Sequence, residues 1–136
     1  MADNPFTIDP IGFIRSPLQR RKNAPRQGRE GAPDAWIEIE SRVVDGLLGI
    51  SVGDELIVLT WLHESRRETL QVHPRGTGPL TGVFATRSPD RPNPIGLHRV
   101  KVLEIDRNRL EIGPIEAIDG TPVVDIKPVL NTTADA

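Results

Sequence analysis

The sequence predicts an all-β fold, a small antiparallel β-barrel with little helix and long loops rich in Pro, Gly and Arg. Three observations carry that prediction. Apolar residues alternate or cluster over short runs, the period and length of strands rather than helices. Thirteen Pro and twelve Gly are spread along the chain, so turns recur too often for long helices. The chain has 136 residues with two Trp, three Phe and no Tyr; that is one domain, residues 1–136, whose core must rest on Ile, Val and Leu. Closing the sheet is how many short antiparallel strands dispose of their edges.

Taken in order, Phe6 to Arg15 alternates loosely and reads as a first strand broken at Pro10-Ile11-Gly12. Ser16 to Asp34 is polar, rich in Pro, Gly and Arg, and too long to be a mere connector. Trp36 to Val43 alternates, and Val44 to Leu48 fits one helical turn ending at Gly49. After the Ser51-Val52-Gly53-Asp54 turn, Glu55 to Leu62 is a continuous apolar run. Its β-branched residues and its length favour a buried strand over a helix.

Polar residues from His63 to Glu68 follow at the strand end, then a short strand from Thr69 to His73 and a Pro/Gly loop from Pro74 to Leu80. Val83-Phe84-Ala85 reads as β, and Leu97 to Ile105 as a strand turning at Arg107-Asn108 into Leu110-Glu111-Ile112. Ile115 to Ile118 leads to the Asp119-Gly120 turn, and Val123 to Ile126 is the last strand. The ordered core is expected over about 6–130, with 131–136 a flexible tail.

Composition excludes several classes. Without cysteine there is no disulfide, thiolate nucleophile or Cys-based zinc site. His63, His73 and His98 fall in no metal-ligand spacing, so no metal is expected. Gly76-Thr77-Gly78 resembles the start of a dinucleotide fingerprint, but the third glycine is misplaced and no helix can follow into Val83-Phe84-Ala85. No apolar run is long enough to span a bilayer and no export signal is visible, so a cytoplasmic protein without membrane attachment is expected. A net charge of −2 does not announce a nucleic-acid binder. Arg20, Arg21, Lys22, Arg26 and Arg29 nevertheless form a run without acids, suited either to phosphates or to a solvated loop.

The most constrained stretch is Gly82 to Leu97, where Val83-Phe84-Ala85 gives way to Pro89, Pro92 and Pro94 interleaved with Arg87, Arg91 and Asn93. Proline fixes φ and removes donors, so this segment is neither helix nor inner strand and has little freedom to lose on ordering. Cationic and amide donors on such a backbone are pre-positioned for a ligand. Arg87 heads that set, since a guanidinium grips a carboxylate through two parallel hydrogen bonds. Arg91, Asn93 and Gly96 are open between shaping the loop, reaching substrate and making a dimer contact.

The run from Gly82 to Gly96 resembles the signature of the TsaA-like (TrmO, formerly YaeB) family. Three further blocks agree in order and spacing: Ile11 to Pro17, Pro25-Arg26-Gln27, and Asp119 to Pro128. The resemblance spans about Ile11 to Leu130. It implies a single small β-barrel that binds S-adenosylmethionine (SAM), acting as a methyltransferase on N6 of a modified adenosine, N6-threonylcarbamoyladenosine, in tRNA. It further implies cofactor contacts at Pro25, Arg26, Gln27, His63, Glu64, Arg87, Leu97, Asp119, Gly120, Thr121 and Pro122. It also implies a homodimer whose loops complete the neighbouring pocket. The chain reads as a short form without a further C-terminal domain. Two other readings therefore stand beside the transferase: a SAM-binding regulatory module, and an RNA-binding barrel without cofactor. No catalytic residue is assigned; Asp125 or His63 could accept the proton.

Overall fold

A computed structural model describes residues 5–20 and 31–130. Eight strands are present: β1 (Gly12–Arg15), β2 (Ala35–Ile39), β3 (Glu55–Trp61), β4 (Gln71–Val72), β5 (Thr81–Gly82), β6 (Ile95–Asp106), β7 (Arg109–Gly113) and β8 (Pro122–Pro128). Six of them close into a barrel in the order β1-β2-β7-β6-β3-β8, every pairing antiparallel. The short β4 and β5 form a separate hairpin outside it. Among the described residues the helical content is confined to 3-10 turns, the longest at Ser41–Leu47. The expected all-β barrel is therefore what forms.

Alternation sets the barrel's inside. Ile14, Ile37, Ile39, Leu56, Val58, Val100, Val102, Leu110, Ile112 and Val123 point inward and are all buried. Their outward neighbours carry most of the charge, as a closed sheet with one dry face requires. Arg107 adopts a left-handed φ of 59° at the β6–β7 turn. Asn108 beside it donates from Nδ2 to the Ile39 carbonyl at 2.8 Å, tying the hairpin tip to β2. Gly12 is needed for close approach: a Cβ there would lie 2.4 Å from the Glu38 carbonyl oxygen.

Two local expectations are revised. Val83-Phe84-Ala85 is a 3-10 turn, not a strand, with Val83 buried and Phe84 81% exposed. Its predecessor β5 pairs only with the two residues of β4, so there is no ladder to continue. The chain turns instead, the Thr86 amide donating to the Val83 carbonyl at 3.1 Å. The helical turn after β2 begins at Ser41 rather than Val44, cutting the strand short at Ile39.

Candidate functional site

A broad groove of about 1780 Å³ opens between the outer hairpin, the proline-rich loop and one end of the barrel. Its lining contains five of the sequence-predicted residues: His63, Glu64, Arg87, Leu97 and Thr121. Three segments far apart in sequence thus meet at one depression. They are the exit of β3, the loop before β6 with the start of β6, and the segment after β7.

The loop that carries Arg87 is tied down by its other cation. Arg91 donates from Nη1 to the Thr86 and Ser88 carbonyls, both at 3.0 Å. The Ser88 amide donates to Thr86 Oγ1 at 3.1 Å, closing the turn around Arg87. The loop is also docked on the turn that follows β3. The Arg66 amide donates to Asp90 Oδ1 at 2.9 Å and the Arg91 amide to the Arg66 carbonyl at 3.0 Å. Arg67 stacks 5.0 Å over the Trp61 ring and donates to the Pro92 carbonyl and to Asn93 Oδ1. Arg91 and Asn93 therefore shape the loop. Arg87, exposed at its crest, makes no ion pair or side-chain hydrogen bond among the described residues.

The groove floor is polar in a way that the sequence reading missed. On β6, Gly96, His98, Val100 and Val102 face inward. His98, 4% exposed, contacts Glu116 Oε1 through Nδ1 at 2.6 Å and Thr60 Oγ1 through Nε2 at 2.7 Å. A carboxylate only accepts, so Nδ1 carries the proton shared with Glu116; in the neutral imidazole the Thr60 hydroxyl donates to Nε2. Gly96 makes room for this pairing, because a Cβ there would lie 2.5 Å from Thr60 Oγ1 and 2.8 Å from His98 Nε2. The available signal was a histidine and a glycine at inward positions of an otherwise aliphatic alternation.

The Asp119 turn sits differently. Asp119 accepts the Ser16 amide through Oδ1 at 3.0 Å and donates its own amide to the Leu18 carbonyl at 2.6 Å. Gly120, at φ 83°, donates to the Ile14 carbonyl, and Pro122 pairs with Phe13 in the ladder. Asp119, Gly120 and Pro122 do not line the groove; they hold the chain as it leaves β1. That exit leads towards Pro25, Arg26 and Gln27, which lie outside the described residues together with most of the basic run. Of the two candidate proton acceptors, His63 lines the groove, whereas Asp125 pairs with Lys127 at 3.2 Å away from it. Among the described residues no cluster of His, Asp and Glu is arranged to hold a metal ion, and no helix is long and apolar enough to cross a membrane.

Comparison with known proteins adds independent information. The family described as the tRNA-methyltransferase O N-terminal domain matches residues 13–136. An S-adenosyl-L-methionine-binding protein of Archaeoglobus fulgidus is 46% identical over 120 residues, covering 88% of this chain and 86% of that one. A probable S-adenosyl-L-methionine-binding protein of Methanothermobacter thermautotrophicus is 42% identical over 128 residues, covering 94% and 93%. Among solved structures, TrmO from Pseudomonas aeruginosa superposes with a TM-score of 0.76 at 31% identity, over 98% of this chain. The chain spans 61% of the length of that TrmO.

Proposed function

The chain belongs to the family described as the tRNA-methyltransferase O N-terminal domain, and from that premise we propose that it binds SAM in the groove and transfers the methyl group to tRNA. The acceptor in this reading is N6 of N6-threonylcarbamoyladenosine beside the anticodon. One observation carries the cofactor assignment: in a proline-braced loop Arg91 is spent on internal hydrogen bonds, whereas Arg87 lines the groove with no side-chain partner among the described residues. An uncommitted guanidinium on rigid backbone fits the methionyl carboxylate of the cofactor.

Bound SAM supplies an electrophilic methyl group. This chain's residues do the rest by placement, the source of most acceleration when reactants must align at about 3–3.5 Å. Arg87 anchors the amino-acid end, and Leu97 offers an apolar wall for the adenine. His63 and Glu64 stand at the rim, where His63 accepts the proton released from the acceptor nitrogen. Thr121 closes the floor, and the Asp119 turn holds the chain where it leaves β1. A single small-molecule site occupies about 300–1,000 Å³, so a 1780 Å³ groove leaves space for an acceptor nucleoside beside the cofactor. Lys101 in its lining suits RNA phosphates. Exposed Leu70, Leu80 and Phe84 on the outer hairpin and the turn after it suit a second copy of the chain, giving a cytoplasmic homodimer.

Mass spectrometry of tRNA nucleosides from a deletion strain tests the reading: the N6-methylated form should vanish and return with the plasmid-borne gene. An unchanged nucleoside profile sinks it. A second reading, SAM binding without transfer, draws on the relatives' names, which state binding alone. Purified protein that binds SAM yet leaves tRNA unmethylated would select it.

A further inference from the structure

We propose that Glu116 is a further cofactor-site residue, the acceptor for the ribose hydroxyls of an adenosyl ligand, and that His98 and Thr60 are its positioning residues. The inference rests on the reading of the groove as a SAM site. Glu116 lies on the segment between β7 and β8, in the groove lining beside Leu97, Pro114, Ala117 and Thr121. Its side chain is 18% exposed, while the His98 side chain behind it is 3% exposed. The carboxylate is therefore gripped from inside the barrel and open towards the groove.

Geometry separates this carboxylate from the other two in the lining. Glu55 is paired with Arg99 at 3.0 Å on the exposed face of the sheet. Glu64 is exposed and has no partner among the described residues that would fix its rotamer. Glu116 alone of the three is aimed by a buried donor: His98 Nδ1 holds Oε1 at 2.6 Å, and Thr60 holds the far side of the imidazole at 2.7 Å. With Oε1 held from behind, Oε2 is the oxygen available to a ligand. A diffuse positive charge, such as a sulfonium, is attracted to a carboxylate in any rotamer. A vicinal diol needs an acceptor fixed in direction, and pre-orientation by a second residue is what supplies it. Apolar and small neighbours (Leu97, Pro114, Ala117) give the flat adenine a wall next to that acceptor. An aliphatic barrel end would have packed without a Thr–His–Glu chain, so its presence behind the groove needs a reason outside stability.

Calorimetry on the full chain decides the matter, using SAM, S-adenosylhomocysteine and the 2′-deoxy analogue of the latter. Glu116→Gln keeps the shape and removes the charge, and should weaken SAM and S-adenosylhomocysteine alike, by about 10- to 100-fold. Loss of the 2′-hydroxyl should cost the wild type a similar factor and the Glu116→Gln protein almost nothing. His98→Asn, whose amide can still donate to Oε1, should retain most of the affinity that His98→Leu loses. Melting curves identify any variant that fails to fold, and Glu116→Gln then carries the test. Unchanged affinity in Glu116→Gln overturns the proposal, as does weakening confined to SAM, which would mark a sulfonium partner instead. A wild type that ignores all three ligands overturns the SAM reading itself together with this proposal.

Discussion

The two halves of the barrel wall are built from the same alternation and put it to opposite uses. Strands β1, β2 and β7 turn Ile14, Ala35, Ile37, Ile39, Leu110 and Ile112 inward, an unbroken aliphatic surface. Outward, Arg15 Nε lies 2.7 Å from Glu38 Oε1, and Arg109 stacks 4.4 Å over the Trp36 ring beside the same glutamate, its buried Nε without a hydrogen-bond partner among the described residues. Strands β3 and β6 start the same way, with Leu56, Val58, Val100 and Val102, and then admit Thr60, Gly96 and His98. On their side of the molecule Arg87 lines an open groove and has no ion pair among the described residues. One half is filled by aliphatic packing; the other opens onto the groove. Stability and binding should therefore respond to different substitutions.

The largest expected effect lies wholly on the first half. Ile37 is fully buried, and Ile37→Ala removes its packing and leaves a cavity, which should cost about 2–5 kcal/mol of stability in chemical denaturation. SAM affinity measured on the folded fraction should not change. A large affinity loss would mean that the halves are not separable.

Arg87→Ala is the converse. It removes a charge-assisted carboxylate contact and should weaken SAM binding by about 1.5–3 kcal/mol. The melting temperature of the unliganded protein should stay where it was, because the side chain is exposed and has no partner among the described residues to lose. If Arg87→Ala lowers stability and leaves affinity intact, the guanidinium is structural and the contrast fails.

Arg91→Ala refines the same boundary. Its two hydrogen bonds to the Thr86 and Ser88 carbonyls hold the loop from within the groove lining. Their removal should weaken SAM binding by about 1 kcal/mol through lost pre-organisation. Hydrogen exchange should quicken over residues 86–91 and not over β2. Equal losses for Arg91→Ala and Arg87→Ala would show that Arg91 touches the cofactor directly.

The aliphatic half was legible in the sequence because alternation alone specifies it: Trp36 to Ile39 and Leu110 to Ile112 read as strands and are strands. The start of β6 at Ile95 and the 3-10 turn at Val83 were less so, since both depend on which partner a short segment finds. Arg87 was legible through its setting, a cation on a proline-braced run. His98 and Glu116 were not, because eighteen residues separate them and nothing local to either reveals the contact. The roles of Arg91 and Asn93 became distinct from that of Arg87 only once the carbonyls and side chains around them were in place.

The smallest effect is expected where the first half meets solvent. Arg15 and Glu38 pair at 2.7 Å, yet their side chains are 49% and 41% exposed. Water competes for both partners, and ordering two long side chains offsets much of the attraction, so such pairs contribute about 0–1 kcal/mol. Arg15→Ala should therefore shift the denaturation midpoint slightly at low salt, still less at high salt, and leave SAM affinity unaltered. The same truncation, Arg to Ala, thus has nearly no consequence on one face of the barrel and a large one at Arg87. That difference follows from what each guanidinium faces: a protein carboxylate already in reach of water, or, in the proposed reading, the carboxylate of the cofactor. An affinity loss for Arg15→Ala comparable to that for Arg87→Ala would remove the distinction between the two halves.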